Sequence, residues 1–129
     1  EWECLADVSR RADSLLLLDV NNIHVSAVNH SFDGLDYING IPKDRVRQIH
    51  LAGYSDMGTH LIDTHDHAVS DPVWKLYEAA IARFGAVPSM IEWDDNIPTF
   101  DVLHAEARKA ERIQKKVLAR AGDRKTVAA

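Results

Sequence analysis

Three short segments that are apolar or nearly so, each followed by a helical pattern, constrain the fold of this chain more than any other feature. They occupy residues 15–18, 46–51 and 89–92. Short apolar segments are typical of strands in a parallel sheet that other elements cover on both faces. Because such strands alternate here with helices, the sequence predicts an α/β fold built on a parallel sheet.

The helices are predicted from their end signals and from the spacing of apolar residues. Asp71-Pro72 is the clearest helix start, because aspartate is a good N-cap and proline suits the first helical position, where its missing N–H costs nothing. Gly85 is expected to end that helix. Apolar residues at helical spacing predict helices over residues 2–12, 71–84 and 99–120, and a single helical turn over 35–39.

Two polar segments lie between these elements. Residues 21–33 show no clean period and are predicted to form a loop over the strand ends. Residues 54–70 are rich in histidine and are predicted to form a long excursion with a short strand at 61–62. Because loops this long inside a compact domain usually serve a function, this excursion is a candidate part of the site.

Length and composition indicate one globular domain, over residues 1–121, with a flexible tail over 122–129. The net charge is −5 and no basic stripe offsets it, which argues against a nucleic-acid partner. No apolar stretch approaches the roughly 20 residues of a membrane span. The single cysteine, Cys4, cannot form an internal disulfide, so a reducing cytoplasm is expected.

Residue types that bind metal stand at the ends of the predicted strands. Asp19 follows the first apolar segment, His50 lies near the end of the second, and Glu92 closes the third. In parallel α/β folds the carboxyl ends of the strands share one edge, so these side chains are expected to converge. Mixed carboxylate and imidazole ligands suit iron, manganese or zinc.

The histidine-rich excursion adds two candidates. Asp63 and His65 are two residues apart, so in extended backbone their side chains leave on the same side. The predicted metal ligands are Asp19, Asn22, His50, Asp63, His65 and Glu92, and the residues predicted to lie beside them and orient them are Asn21, Asp66 and Asp94.

Each candidate also has a structural interpretation. Asp19 could cap the turn that follows it, and His50 could be a hydrogen-bonded histidine of the core. Glu92 at a buried strand end needs a partner, which could be a salt bridge as well as a metal. Asp63 and His65 could belong to a hydrated loop.

The motifs of this chain resemble those of the DUF692 (UPF0276) family. They occur in the family's order, and the resemblance extends to about residue 112. This family is grouped as multinuclear non-heme iron-dependent oxidative enzymes and includes the iron enzyme of methanobactin biosynthesis. The motifs that carry the resemblance are LLDVNNIHVSA at 17–27, QIHLAG at 48–53, IDTHD at 62–66, VW at 73–74, IEWD at 91–94 and IP at 97–98.

The resemblance implies a xylose-isomerase-like TIM barrel, of which this chain would supply the C-terminal part in about three βα units. It also implies a site layout similar to that of endonuclease IV. In that layout one metal is held at the three strand ends and a second by the loop residues. The implied cofactor is iron, as two or three ions in the full-length family, with zinc or manganese as the alternative. The two implied ligand groups are Asp19, His50 and Glu92 for the first metal, and Asn22, Asp63 and His65 for the second.

Characterised members of the family use iron and dioxygen to oxidise cysteine residues of ribosomally made peptides, with a small partner protein that binds the peptide's leader. The resemblance therefore implies a peptide substrate and such a partner. Two other classes stay open. One is a metal-dependent hydrolase or isomerase that shares the barrel. The other is a truncated, non-catalytic remnant that binds metal or a partner.

The chain departs from the family because the N-terminal half of the barrel, with a glutamate that bridges the metals, would precede Glu1. Three strands cannot close an eight-stranded barrel, and open strand edges invite pairing. We therefore expect a fragment of a longer protein or a truncated gene product. A homodimer or domain swap that covers the open edges is a further hypothesis. Whether this chain alone is an enzyme is left open.

Overall fold

Strands and helices alternate along the chain, as the apolar pattern predicts. The computed structural model describes the backbone of residues 1–127 and the side chains of residues 1–121. The described elements are, in chain order, α1 (Trp2–Arg11), β1 (Leu16–Asp19), α2 (Val20–His30), α3 (Gly34–Gly40), β2 (Val46–Leu51), β3 (Ser55–Asp56), β4 (Leu61–Ile62), α4 (Asp71–Phe84), β5 (Ser89–Ile91) and α5 (Phe100–Val127).

The central sheet contains three parallel strands in the order β1-β2-β5, which confirms the predicted parallel α/β arrangement. Asp19 pairs with His50, and His50 pairs in turn with Met90, so the three strands end at the same edge. A separate antiparallel hairpin of β3 and β4 contains the short strand predicted at residues 61–62.

Helices cover one face of this sheet and form the core with it. Ile49 and Leu51 of β2 are fully buried, together with Tyr77 and Ile81 of α4. The prediction that the first strand is covered on both faces is wrong for the described structure, because Leu17 is 48% exposed. Successive side chains of a strand point to opposite faces, so alternate residues of β1 face away from the helices.

The predicted loop over 21–33 is also wrong, since residues 20–30 form α2. The Asp19 side chain caps this helix by accepting a hydrogen bond from the Asn22 N–H at 2.8 Å. The buried residues of α2 include Val20 and Ile23, which are at helical spacing, but also the polar Asn21. This buried asparagine obscured the helical period in the sequence.

The remaining helices follow their end signals closely. Helix α4 begins at Asp71 and ends before Gly85, whose φ of 85° requires glycine-like freedom. Its N-cap is Ser70, so the prediction of Asp71 as the cap is wrong by one residue. In the part of the chain that the structure describes, every helix is too short or too polar to cross a membrane. The flexible tail over 122–129 stays a prediction; the backbone is helical to Val127, and the side chains of that segment lie outside the described residues.

Candidate metal centre

The shared edge of the sheet brings the strand-end candidates into contact. The Glu92 N–H donates to the Leu51 carbonyl oxygen at 2.8 Å, which extends the pairing of β2 and β5 by one residue. This places Glu92 Oε2 at 2.9 Å from His50 Nδ1. Asp19 lies beside His50 in the neighbouring strand. The predicted convergence of the strand ends is therefore present for these three side chains.

His65 occupies the middle of the cluster, between four carboxylates. Its Nε2 lies 3.0 Å from Asp63 Oδ1 and 3.9 Å from Asp19 Oδ2. Its Nδ1 lies 3.3 Å from both Glu92 Oε2 and Asp94 Oδ2. Glu92 thus contacts His50 as well as His65, and it connects the two ligand groups that the family layout separates.

The backbone of His65 is held in a left-handed conformation with φ of 52°. Such a conformation costs a residue with a side chain on the order of 1 kcal/mol, so neighbouring structure must hold it. The His65 N–H donates to the Gly53 carbonyl at 3.1 Å, and the His65 carbonyl accepts from the Asp94 N–H at 2.8 Å. A Cβ on Gly53 would stand 2.1 Å from the His67 carbonyl oxygen, so glycine is required for this approach.

Asp19 caps a helix, as one interpretation of the sequence allowed, and its second carboxylate oxygen is turned toward the cluster. Its Oδ1 caps α2, while its Oδ2 faces His65. Burial raises the pKa of the Asp19 carboxyl, the Asn22 N–H lowers it, and the neighbouring carboxylate of Asp63 raises it further. The carboxylate is therefore held where its negative charge is unfavourable without a cation.

Asp63 is fixed by two asparagine side chains. Asn21 is fully buried, and its Nδ2 donates to the Gly53 carbonyl at 3.1 Å and also to Asp63 Oδ1. Asn22 Nδ2 donates to Asp63 Oδ2 at 3.0 Å. Asn21 therefore orients a predicted ligand, whereas Asn22, which was predicted to bind metal, presents its amide N–H to Asp63.

The cluster contains four carboxylates and only two imidazoles, those of His50 and His65, among the described side chains. Burial lowers the pKa of His65, but the carboxylates of Asp63, Asp19 and Glu92 raise it by more, so the net shift is upward. Asp94 adds another carboxylate next to the same ring. A bound cation would also offset the repulsion between the carboxylates of Asp19 and Asp63.

A metal fits the donors that are present. Asp19, His65 and Glu92 each offer one ligand atom, and these atoms all lie within 4.8 Å of one another. Two carboxylates and an imidazole suit iron, manganese or zinc. Two of the three remaining predicted ligands contact this triad, since His50 lies against Glu92 and Asp63 against His65.

Asp66 lies apart from the triad, although it was predicted to orient a ligand. Its carboxylate is bonded by Ser55, Thr64 and His67 instead. The hydrogen bond from Thr64 lowers the pKa of Asp66 most, and those from His67 and Ser55 lower it further, to about 2. The sequence interpretation missed Ser55 and Thr64; the only signal for Thr64 was its place between two predicted ligands.

Residues 1–115 match the sequence model of a family described as RiPP precursor modification enzyme MbnB/TglH/ChrH. The chain is also similar to a UPF0276 protein of Acaryochloris marina, at 53% identity over 86% of this chain and 40% of the relative. A UPF0276 protein of Anaeromyxobacter sp. is 50% identical over 92% of this chain and 42% of its own length. One from Rhizorhabdus wittichii is 58% identical over 85% of this chain and 40% of its own length. The chain thus spans about 40% of the length of these relatives.

Proposed function

The chain belongs to the family of RiPP precursor modification enzymes MbnB/TglH/ChrH, the UPF0276 proteins, and from this premise we propose that it forms part of an iron enzyme that oxidises cysteine residues of a ribosomally made peptide. The observation that carries the proposal is the triad of Asp19, His65 and Glu92, whose ligand atoms lie within 4.8 Å of one another. The triad lies at the carboxyl edge of a parallel sheet, where α/β enzymes place their chemistry.

The proposal gives each group a defined task. Asp19, His65 and Glu92 would hold the metal, with His50 and Asp63 as the ligands that complete the site. Iron in this site would supply the redox chemistry, with dioxygen as the oxidant of the peptide thiol. Within the chain, Glu92 contacts the imidazoles of His50 and His65, so one carboxylate sets the orientation of both rings.

We further propose that these elements are about three βα units from the C-terminal part of a TIM barrel. Three observations support this: the parallel order β1-β2-β5, helices on one face only, and a span of about 40% of the relatives' length. In a barrel the helices lie outside and the opposite sheet face turns inward. Leu17 and Met90, 48% and 41% exposed, would then face the barrel interior.

The proposed partners are a peptide substrate and a small protein that binds the peptide's leader. A homodimer that covers the open sheet edges is the alternative arrangement for the chain alone. A complex with the peptide and a homodimer differ in stoichiometry. Light scattering of the chain with and without a candidate precursor peptide therefore distinguishes the two arrangements.

The test is the iron content per chain, measured by elemental mass spectrometry on protein prepared without oxygen. We expect at least about one iron per chain, and its loss in His65→Ala because that imidazole belongs to the ligand triad. His30→Ala removes an exposed histidine at the end of α2 and serves as the matched control.

Unchanged iron content in His65→Ala would overturn the ligand assignment. A preference for zinc or manganese without oxygen consumption would favour a hydrolase or isomerase instead. A stable complex with another protein, without metal or turnover, would indicate the non-catalytic remnant.

A further inference from the structure

The carboxylate of Asp66 accepts hydrogen bonds from two hydroxyl groups that lie on different segments of the chain. Ser55 Oγ of β3 lies 3.0 Å from Asp66 Oδ2 and 3.2 Å from Oδ1, and Thr64 Oγ1 donates to Oδ1. The two hydroxyl oxygens also lie 3.0 Å from each other. Since each hydroxyl has a single proton to donate, one ionised carboxylate can accept both.

This network joins the β3–β4 hairpin to the turn that carries the loop ligands. Thr64 stands between Asp63 and His65, and its N–H donates to the Ile62 carbonyl at 2.9 Å. Its side chain is therefore tied to Asp66 and Ser55, while its neighbours on both sides face the metal centre.

The turn needs such support because His65 holds a φ of 52°. A left-handed non-glycine residue persists only where its surroundings determine it. The Gly53 carbonyl holds the His65 N–H from one side, at 3.1 Å. The hydroxyl network holds the preceding residue, Thr64, from the other side.

We propose that Asp66 is a positioning residue, which acts through Thr64 and Ser55 to hold the turn that aims His65 at Asp63 and Glu92. The sequence had suggested that Asp66 orients a ligand histidine directly. The histidine that it contacts is His67, which is 59% exposed and lies outside the ligand cluster. The inference rests on the proposed function only in taking the cluster as a metal site.

Two pairs of variants test this role. Asp66→Ala removes the shared acceptor, and its matched control is Asp56→Ala, which removes an exposed carboxylate that caps Gly58 in the same hairpin. Thr64→Val removes one hydroxyl at almost constant shape, and Thr59→Val is its exposed control. Thr64→Val also keeps the test decisive if Asp66→Ala fails to fold.

The first measurement is binding of Co²⁺, whose visible absorption reports its ligand geometry. We expect Asp66→Ala and Thr64→Val to weaken Co²⁺ affinity by about 10- to 100-fold and to alter the spectrum, as loss of outer support for a metal site does. The two controls keep the wild-type affinity and spectrum.

The second measurement needs no metal. Exchange of the His65 amide hydrogen in the metal-free chain should accelerate on the order of tenfold or more in both variants, because the local turn opens more often. Unchanged His65 exchange in both variants would overturn the inference, as would equal acceleration at every amide of the sheet. If the wild-type chain binds no Co²⁺, the proposed metal function fails, while His65 exchange still decides the role of Asp66.

Discussion

The two faces of the central sheet are built from the same strands and differ in almost every other respect. On the helix-covered face, Leu18, Ile49 and Leu51 are at most 2% exposed and pack into the core. On the opposite face, Leu17 and Met90 are each more than 40% exposed, beside the candidate ligands at the strand ends. Stability therefore comes from one face, and the candidate chemistry lies on the other.

The uncovered face also gathers carboxylates around partly buried groups. Burial raises the pKa of Asp19, and the carboxylates of Asp63, Asp19 and Glu92 raise that of His65 against the effect of its burial. The raised pKa of Asp19 reflects the cost of burying a charge beside Asp63, whereas that of His65 reflects attraction between its charged ring and the carboxylates. Burial of the Asp19 carboxylate thus costs free energy, and the packed core on the opposite face offsets this cost.

The largest expected contrast comes from two adjacent leucines. Leu18→Ala should lower the free energy of unfolding by about 2–5 kcal/mol, because it leaves a cavity in the helix-covered core. Leu17→Ala should cost less than about 1 kcal/mol, because its side chain is already half exposed. Urea titration of both variants measures the difference. Equal losses would show that the uncovered face is also a packed core.

A metal ion bound on the uncovered face should make that face contribute to the stability of the fold. Co²⁺ at 100 times its dissociation constant should raise the free energy of unfolding by about 2.7 kcal/mol, because it binds only the folded site. Glu92→Gln should abolish this increase and leave the metal-free stability within about 1 kcal/mol. Glu3→Gln, at an exposed glutamate of α1, should retain the full increase. An increase of the same size in Glu92→Gln would remove that residue from the metal centre.

The smallest effect is expected on the covered face, at the buried hydrogen bond from the Tyr77 hydroxyl to Ser89 Oγ, 2.9 Å long. Tyr77→Phe should cost about 1 kcal/mol at neutral pH. Burial raises the pKa of Tyr77 above its ordinary value of 10.0. The folded chain therefore holds this proton more tightly than the unfolded chain does.

The contribution of Tyr77 is consequently present below pH 10 and is lost as pH rises through its raised pKa. Between neutral and strongly alkaline pH, the free energy of unfolding should fall less in Tyr77→Phe than in the wild-type chain. Urea titration at each pH measures this difference. Tyr54→Phe, at a half-buried tyrosine, is the control. A steeper alkaline loss in Tyr77→Phe than in the control would contradict this assignment.

Local signals in the sequence were sufficient to predict most of the helices and strands. Residues 46–51 form the predicted strand, and the helix predicted over 71–84 is α4. Helix α2 was missed because Asn21, a polar residue, is buried where an apolar one was expected. Asn21 faces inward to bond Gly53 and Asp63, and no local period reveals a partner that lies 42 residues away.

The sequence by itself determined the types of the candidate residues, the places of three of them at the strand ends, and the family, because these depend on residue type and order. Only the tertiary structure decided that His65 lies between four carboxylates and that Asp66 bonds Ser55 and Thr64. It also decided which sheet face is covered. His50 and Glu92 are 42 residues apart, and their contact depends on the pairing of β2 with β5. Such long-range contacts are set by packing, whereas periodicity describes only near neighbours along the chain.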